Sequence, residues 1–348
     1  MADKIETVAF LGPKASYTHQ ATLTSFPALP PSHLHPQTTI ADVFTAVQSR
    51  TATHGVVPFE NSTNGSVVFT LDLFADLQHQ HPDILVCGEV YVPVRHCLVG
   101  HIPTPPRTAS TSTSTSTSTA SQGDDSGAQT PTRSAPNPLK PRATPLADLS
   151  RVQKLYSHPQ AWGQCNAFLS TYLKGVERLD VSSTSRAAEL VAADASGASA
   201  AVSSEIAAQI HGLDYLARGI QDAEDNETRF FILRRAAERD GADGAQGGDG
   251  GGDEETEKWK TLIAFTVDHE DPGALAKALE VFKTYGLNLT SINARPSGIV
   301  AWNYVFFVEI KGRRLEGGEG VVNRALRDLG RAARGWRWLG SWESKLER

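Results

Sequence analysis

The sequence predicts an α/β protein of two lobes around a cleft, followed by a smaller α+β domain. Three observations predict it. Short apolar runs repeatedly end in polar turns from which amphipathic patterns begin. These strand-turn-helix units come from two segments, separated by a stretch too rich in Ser, Thr and Pro to build a core. Beyond an acidic, Gly-rich run the order of elements changes to β-α-β-β-α-β.

Taken in order, residues 7–11 form an apolar run that stops at Gly12-Pro13, and Ser16 is placed to cap a helix over 17–25 that begins with Tyr17 and includes His19. Ile40, Val43, Phe44 and Val47 recur at helical spacing within 39–49. A buried strand over 55–59 leads into Glu60-Asn61-Ser62-Thr63-Asn64-Gly65-Ser66, a loop dense in hydrogen-bonding side chains, and then a helix over 67–77. Residues 84–99 read as one extended strand with His96 and Cys97 near its end. Residues 102–147 are expected to be a disordered insertion, because their composition cannot offset the entropy of ordering a chain.

Order resumes with a strand over 152–156. Ser157 and His158 before Pro159, with Gln160 and Gln164 one turn apart, start a helix that runs to 173. Ser182-Ser183-Thr184-Ser185 caps a helix over 186–193, and its hydroxyls and first amides offer an anion site, although capping alone accounts for them. A strand over 200–202 and a helix over 203–211 closing at Gly212 follow. The chain then reaches 222–233, DAEDNETRFFIL, where Asn226, Thr228 and Arg229 stand at the mouth of a buried strand over 230–233. A guanidinium is a planar fork for a carboxylate, and a threonine hydroxyl can donate to a leaving oxygen. Read on this segment alone, Arg229 is more plainly a surface ion pair.

Residues 1–235 are therefore assigned to one two-lobed domain of periplasmic-binding-protein type, and 236–258 to an acidic linker. Residues 259–345 form a ferredoxin-like domain, with strands over 261–267, 289–294, 304–310 and 336–342 and helices over 273–285 and 321–329. Asp271 is expected as the N-cap of the first of these helices, with Pro272 at its first position. So small a fold on a linker suits regulation or dimerisation better than catalysis.

The net charge of −6 over 348 residues, without a basic run, argues against general nucleic-acid binding. Three scattered cysteines are too few for a disulfide framework or a zinc site and read as buried thiols. No apolar run approaches the roughly 18–20 residues of a membrane span. The first residues carry neither a signal-peptide nor a transit pattern, so a cytoplasmic protein is expected.

These residues together resemble the prephenate dehydratase family. Gly12-Pro13 with Ser16, Tyr17 and His19, then Pro58, Glu60-Asn61-Ser62 and Gly65-Ser66, then His158-Pro159-Gln160-Ala161 with Gln164-Cys165, then Ser183-Thr184 with Ala187-Ala188, and finally Asn226 with Thr228-Arg229-Phe230 are similar to five of its blocks in its order. Residues 260–342 resemble an ACT domain, which in this family binds phenylalanine between subunits. The resemblance implies decarboxylating dehydration of prephenate to phenylpyruvate, with aromatisation as the driving force and no need of a metal or cofactor. It implies Thr228 and Arg229 as the catalytic residues, Thr228 as proton donor assisted by a neighbour such as Asn226, and Arg229 serving substrate binding more than the chemical step. It implies Ser16, Tyr17, Glu60, Asn61, Ser62, His158, Gln160, Ser183, Thr184, Asn226 and Phe230 as substrate-binding residues.

It further implies a phenylalanine site at Asp271, Gly273, Ala274, Leu275, Asn293, Arg295 and Pro296, on a homodimer or homotetramer. Where the family has Glu-Ser-Arg-Pro, this chain reads Asn293-Ala294-Arg295-Pro296, which removes a carboxylate and a hydroxyl from that site. Two alternatives stand beside this reading. An arogenate dehydratase performs the same elimination on the amino analogue, and a non-catalytic amino-acid sensor is built from similar parts but has no use for a proton donor.

Overall fold

The structure, a computed structural model, describes residues 5–102, 140–194, 196–236 and 258–346. They fall into two compact units, one made of residues up to 13, 17–93 and those from 227 onward, the other of 14–16 and 94–226. The linker expected over 236–258 lies, but for its two end residues, outside the described residues.

The first unit opens with β1 (Val8–Leu11), α1 (Tyr17–Ser25), β2 (Leu34–Gln37), α2 (Ile40–Gln48), β3 (His54–Asn61), β4 (Gly65–Ser66), α3 (Val68–Ala75) and β5 (Ile84–Pro93). Thr39 starts α2 with a reciprocal cap, its hydroxyl accepting from Asp42 N and the Asp42 carboxylate accepting from Thr39 N. Residues 84–99 are not one strand. Pro93 ends β5, and the chain passes into the second unit before resuming as β6 (Cys97–Gly100).

The second unit continues with β7 (Lys154–Ser157), α4 (Pro159–Gln164), α5 (Asn166–Tyr172), β8 (Glu177–Asp180), α6 (Thr184–Ala192), β9 (Ser199–Ser203), α7 (Glu205–His211) and β10 (Asp214–Ala217). Its sheet has the order β10-β6-β9-β7-β8. The helix expected through 173 breaks at Cys165, and Asp222 caps the second piece by accepting from Asn166 N at 3.0 Å and Ala167 N at 3.2 Å. Most of the expected insertion lies outside the described residues, but its last part belongs to the fold. Ala143 and Ala147 pack against the core of this unit, and Leu146 N donates to Leu216 O at 2.7 Å.

The chain then returns to the first unit. β11 (Glu227–Arg235) slots between β3 and β5, antiparallel to both, and completes the sheet β2-β1-β3-β11-β5. Thr228 and Arg229 thus lie within a strand rather than on the loop before it.

The C-terminal domain comprises β12 (Trp259–Thr266), α8 (Ala274–Thr284), β13 (Leu289–Pro296), β14 (Tyr304–Lys311), α9 (Val321–Ala332) and β15 (Gly335–Glu343), in an antiparallel sheet β13-β14-β12-β15. This is the ferredoxin-like order. The N-cap of α8 falls two residues later than expected, at Gly273 with φ +85° in place of Asp271, whose carboxylate instead accepts from Lys277 Nζ at 2.9 Å.

This domain does not merely hang on a linker. β12 is buried on both faces, and its middle, Leu262 to Phe265, is apolar throughout. Ile263 and Phe265 meet α8 and α9, while Leu262 and Ala264 join Phe59, Phe231, Leu233, Leu339 and Trp342 in one core shared with the first lobe. Trp342 meets Phe231 edge-on at 5.2 Å. Gly340, at φ +129°, lets β15 pass so close to β5 that a Cβ there would run into the Val86 carbonyl.

Candidate functional site

β3 and β11 bring the signature residues together. Thr228 pairs in register with Asn61 and Arg229 with Glu60. Successive side chains of a strand point to opposite faces, so Asn61 and Thr228 share one face while Glu60 and Arg229 share the other. On the first face Asn61 Nδ2 donates to Thr228 Oγ1 at 3.1 Å and to Glu227 O at 3.1 Å. Its Oδ1 accepts from Thr63 N and Asn64 N at 3.1 and 2.9 Å, which fixes which end of the amide faces the threonine. Ser62 closes the junction, its amide donating to Glu227 O and its hydroxyl accepting from Glu227 N at 3.0 Å. Asn61 is thus an amide set directly against the Thr228 hydroxyl.

Arg229 is where expectation and geometry part. Its guanidinium is buried and held by carboxylates of the protein itself. Nε donates to Glu89 Oε2 at 2.8 Å, and Nη2 lies 2.5 Å from both Glu89 Oε2 and Glu309 Oε2. Glu60 stands further off, at 3.9 Å from Nη1. Lys260 completes the cluster, its Nζ 3.2 Å from Glu89 and 3.4 Å from Glu309. Two cations and two anions therefore balance in a buried volume. Burial by itself would raise the Glu89 carboxyl, but Arg229 and then Lys260 outweigh it and hold the carboxyl below its ordinary value. Burial likewise works to lower the Arg229 pKa, and Glu309 and Glu89 overcome it and raise it. Nε and Nη2 are thus committed to carboxylates of the protein itself.

The remaining expected site residues are distributed over both units. Phe230 is a core residue, packed with Val8, Phe10, Val56, Val90 and Val92, and Tyr17 lies against the same cluster. In the second unit His158 is the N-cap of α4, its Nδ1 accepting from Gln160 N at 3.3 Å, with Gln160 exposed. Ser183 is the N-cap of α6, its hydroxyl accepting from Arg186 N at 3.0 Å, and Thr184 begins that helix. Ser16 belongs to this unit, as does the buried Asn226. Gln164 holds the buried His96, with Nε2 2.7 Å from Oε1.

In the C-terminal domain Gly273, Ala274 and Leu275 form the start of α8 as expected. Asn293 and Arg295 lie on β13. Asn293 accepts from Ser66 Oγ at 2.7 Å, and Arg295 forks onto Asp72 at 2.6 and 3.0 Å, so both hold the first lobe. Pro296 ends the same strand.

Sequence reasoning missed Glu89, Lys260 and Glu309. For Glu89 and Glu309 the signal was present, because each is a charge inside an apolar strand run and a charge so placed needs a partner, whereas Lys260 stands at the polar start of its strand.

Fold and site together define a two-lobed α/β protein with a fused ferredoxin-like domain, organised around a hydroxyl that an amide holds in place. The prephenate dehydratase family model matches residues 8–124 and 141–238. A bifunctional chorismate mutase/prephenate dehydratase of Aquifex aeolicus is 36% identical over 339 residues, covering 97% of this chain and 74% of that one. A probable prephenate dehydratase of Saccharomyces cerevisiae is 32% identical over 342 residues, covering 89% of this chain and 88% of its own. Among solved structures, prephenate dehydratase of Arthrobacter aurescens in complex with L-Phe superposes with a TM-score of 0.69 at 25% identity, over 97% of this chain and 90% of that one. The chain belongs to the prephenate dehydratase family. Among the described residues no helix is long and apolar enough to cross a membrane.

Proposed function

We propose that this chain converts prephenate to phenylpyruvate, with loss of CO2 and water, and that Thr228 gives the departing ring hydroxyl its proton. Aromatisation drives the elimination, so the protein's task is to protonate a leaving oxygen and leave the ring carboxylate free to depart. A threonine is a very weak acid. Asn61 helps by donating to Thr228 Oγ1, which polarises the O–H and turns its proton away from the amide. That pair, in a chain of this family, is the observation that carries the reading. Arg229 is a positioning residue in this scheme, because its fork is committed to Glu89 and Glu309.

Phenylalanine is the proposed effector, supported by the ligand of the Arthrobacter aurescens protein, with Asp271, Gly273, Ala274 and Leu275 at its site. The enzyme acts in the cytoplasm as a homodimer or homotetramer. The exposed Ile292, Ile299, Val300 and Trp302 on and beside β13, an edge strand, support self-association.

The deciding experiment incubates the purified full chain with prephenate and with arogenate, following phenylpyruvate and phenylalanine. Phenylpyruvate from prephenate is expected. Phenylalanine formed from arogenate alone would make the chain an arogenate dehydratase, and binding without turnover of either would make it a sensor.

A further inference from the structure

We infer that Glu309 and Lys260, both on the C-terminal sheet, are positioning residues for the dehydration, setting Thr228 by holding Arg229. The inference rests on Thr228 being the proton donor.

Thr228 and Arg229 are consecutive in β11 and point to opposite faces of the sheet. A rotation of the strand that swings one side chain swings the other in the opposite sense, so fixing Arg229 fixes Thr228. The need for such a hold is local. The ladder between β11 and β3 shifts register between Arg229 and Phe230, one residue beyond the proposed donor, while the ladder to β5 runs on unbroken there. On the β3 side, where the ladder slips, the Arg229 side chain adds a second hold.

The guanidinium is gripped from two domains. Glu89 comes from β5 of the same sheet, whereas Glu309 and Lys260 come from β14 and β12. Glu309 is itself fixed, accepting from Thr290 Oγ1 at 2.6 Å through its other oxygen. Lys260 reaches the Tyr91 hydroxyl at 3.3 Å as well as both glutamates. All four charged residues are nearly inaccessible, with Glu89 at 3%, Glu309 at 1%, and Arg229 and Lys260 each at 6% exposure. Water therefore offers none of them an alternative partner, and any displacement strands a buried charge. A buried ion cluster is a weak source of stability, since apolar residues of like volume do as well. Here it supplies a single setting for the strand that carries Thr228.

The test is steady-state kinetics on the full chain, with thermal melting alongside. Glu309→Gln keeps the shape and removes the charge. We expect kcat to fall roughly 10- to 100-fold, the scale of an ångström-sized misplacement, with KM for prephenate unchanged. In Lys260→Met/Glu309→Gln the charges balance again, so the melting temperature should recover while kcat stays low. Recovery of both would reduce the cluster to charge balance and overturn the inference. In a Thr228→Ala background Glu309→Gln should cost no further activity, and additive losses would show that Glu309 acts elsewhere. Should Glu309→Gln fail to fold, Thr290→Val loosens the same carboxylate without removing charge, and a lower kcat at unchanged KM is expected of it. Full activity in both Glu309→Gln and Thr290→Val, with Thr228→Ala inactive, sinks this inference and leaves the donor standing. An active Thr228→Ala instead removes the donor reading itself.

Discussion

Ser66 donates its hydroxyl proton to Asn293 Oδ1 at 2.7 Å, tying the hairpin that carries Glu60 and Asn61 to the edge strand of the C-terminal sheet. Ser66 pairs with Glu60 across β3 and β4, so a shift of β13 is felt one strand away from the Asn61–Thr228 pair. The Arg295–Asp72 fork runs beside it, from the same strand to α3. Position 293, which departs from the family's effector motif, is thus in use as a link between domains.

That link predicts how effector sensitivity behaves. Activity of the full chain titrated with phenylalanine should fall, and Ser66→Ala should shift the inhibition curve to higher phenylalanine while leaving kcat without effector unchanged. Coupling between sites is typically worth about 1–3 kcal/mol, so loss of one tie is expected to remove part of it. Identical curves for both proteins would assign the coupling to other contacts.

Asn61→Asp tests the donor's orientation with almost no change of shape. A carboxylate accepts where the amide donated, so the Thr228 proton would turn toward residue 61 and away from substrate. Turnover should fall by about 10²–10⁴-fold, the usual scale of general acid catalysis, and Thr228→Ala should match it. A loss below tenfold in both would assign the proton to another group.

Arg229→Lys separates a substrate clamp from an internal bolt. A lysine keeps the charge but cannot fork between Glu89 and Glu309. We expect a lower melting temperature and a lower kcat with KM for prephenate little changed. Removing one partner of a buried ion pair altogether typically costs about 3–5 kcal/mol, and lysine should cost less than that. A raised KM at unchanged stability would restore the clamp.

His96 gives stability a pH dependence. Burial lowers its pKa, against the opposing pull of the Gln164 hydrogen bond. An unfolded histidine titrates near about 6.5, so on acidification the unfolded chain takes up the proton first. The stabilisation is complete above that value and is lost as pH falls below it toward the folded pKa. Urea midpoints measured at about pH 7.5 and about pH 5.5 should differ less in His96→Gln than in the parent. The residual slope belongs to His54 and His81, which burial also lowers. An unaltered slope would show that His96 takes up its proton as readily in the folded chain as in the unfolded one.

Gly340→Ala should lower the melting temperature sharply, because the backbone conformation at φ +129° is one L side chains rarely adopt and the methyl would meet Val86. Conformations of that kind cost on the order of 1–3 kcal/mol even without a clash. A melt within error of the parent would mean that β15 and β5 separate easily.

How much of this was legible follows from particular residues. The ferredoxin-like domain could be read strand by strand because Leu275, Leu279 and Phe282 repeat at helical spacing between clear apolar runs. β2, with Pro36 inside it, and β8, which is largely exposed, carry no such pattern and were missed. Five motif blocks located Thr228 and Asn61, but not that they would meet, because pairing register between strands so far apart in sequence is set by the whole sheet. The setting of Arg229 was hidden for a related reason. Its partners Glu89 and Glu309 lie in other strands, and no local spacing connects them to it.

The shared core has a consequence for synthesis. β11 is the strand that joins β3 to β5, and it leaves the ribosome only after the whole second unit has been made. Trp342, which lies against Phe231 in the same core, comes later still, a few residues from the end of the chain. Until then β3 has β1 and β4 but an open edge on the side of β11, β5 has no strand partner, and Phe59 and Phe74 lack part of their cover. Contacts this distant in sequence form slowly, and unpaired edges with bare aromatic surface are where nascent chains aggregate or recruit chaperones. Truncation near the C-terminus should therefore reduce the yield of soluble protein before any question of regulation arises.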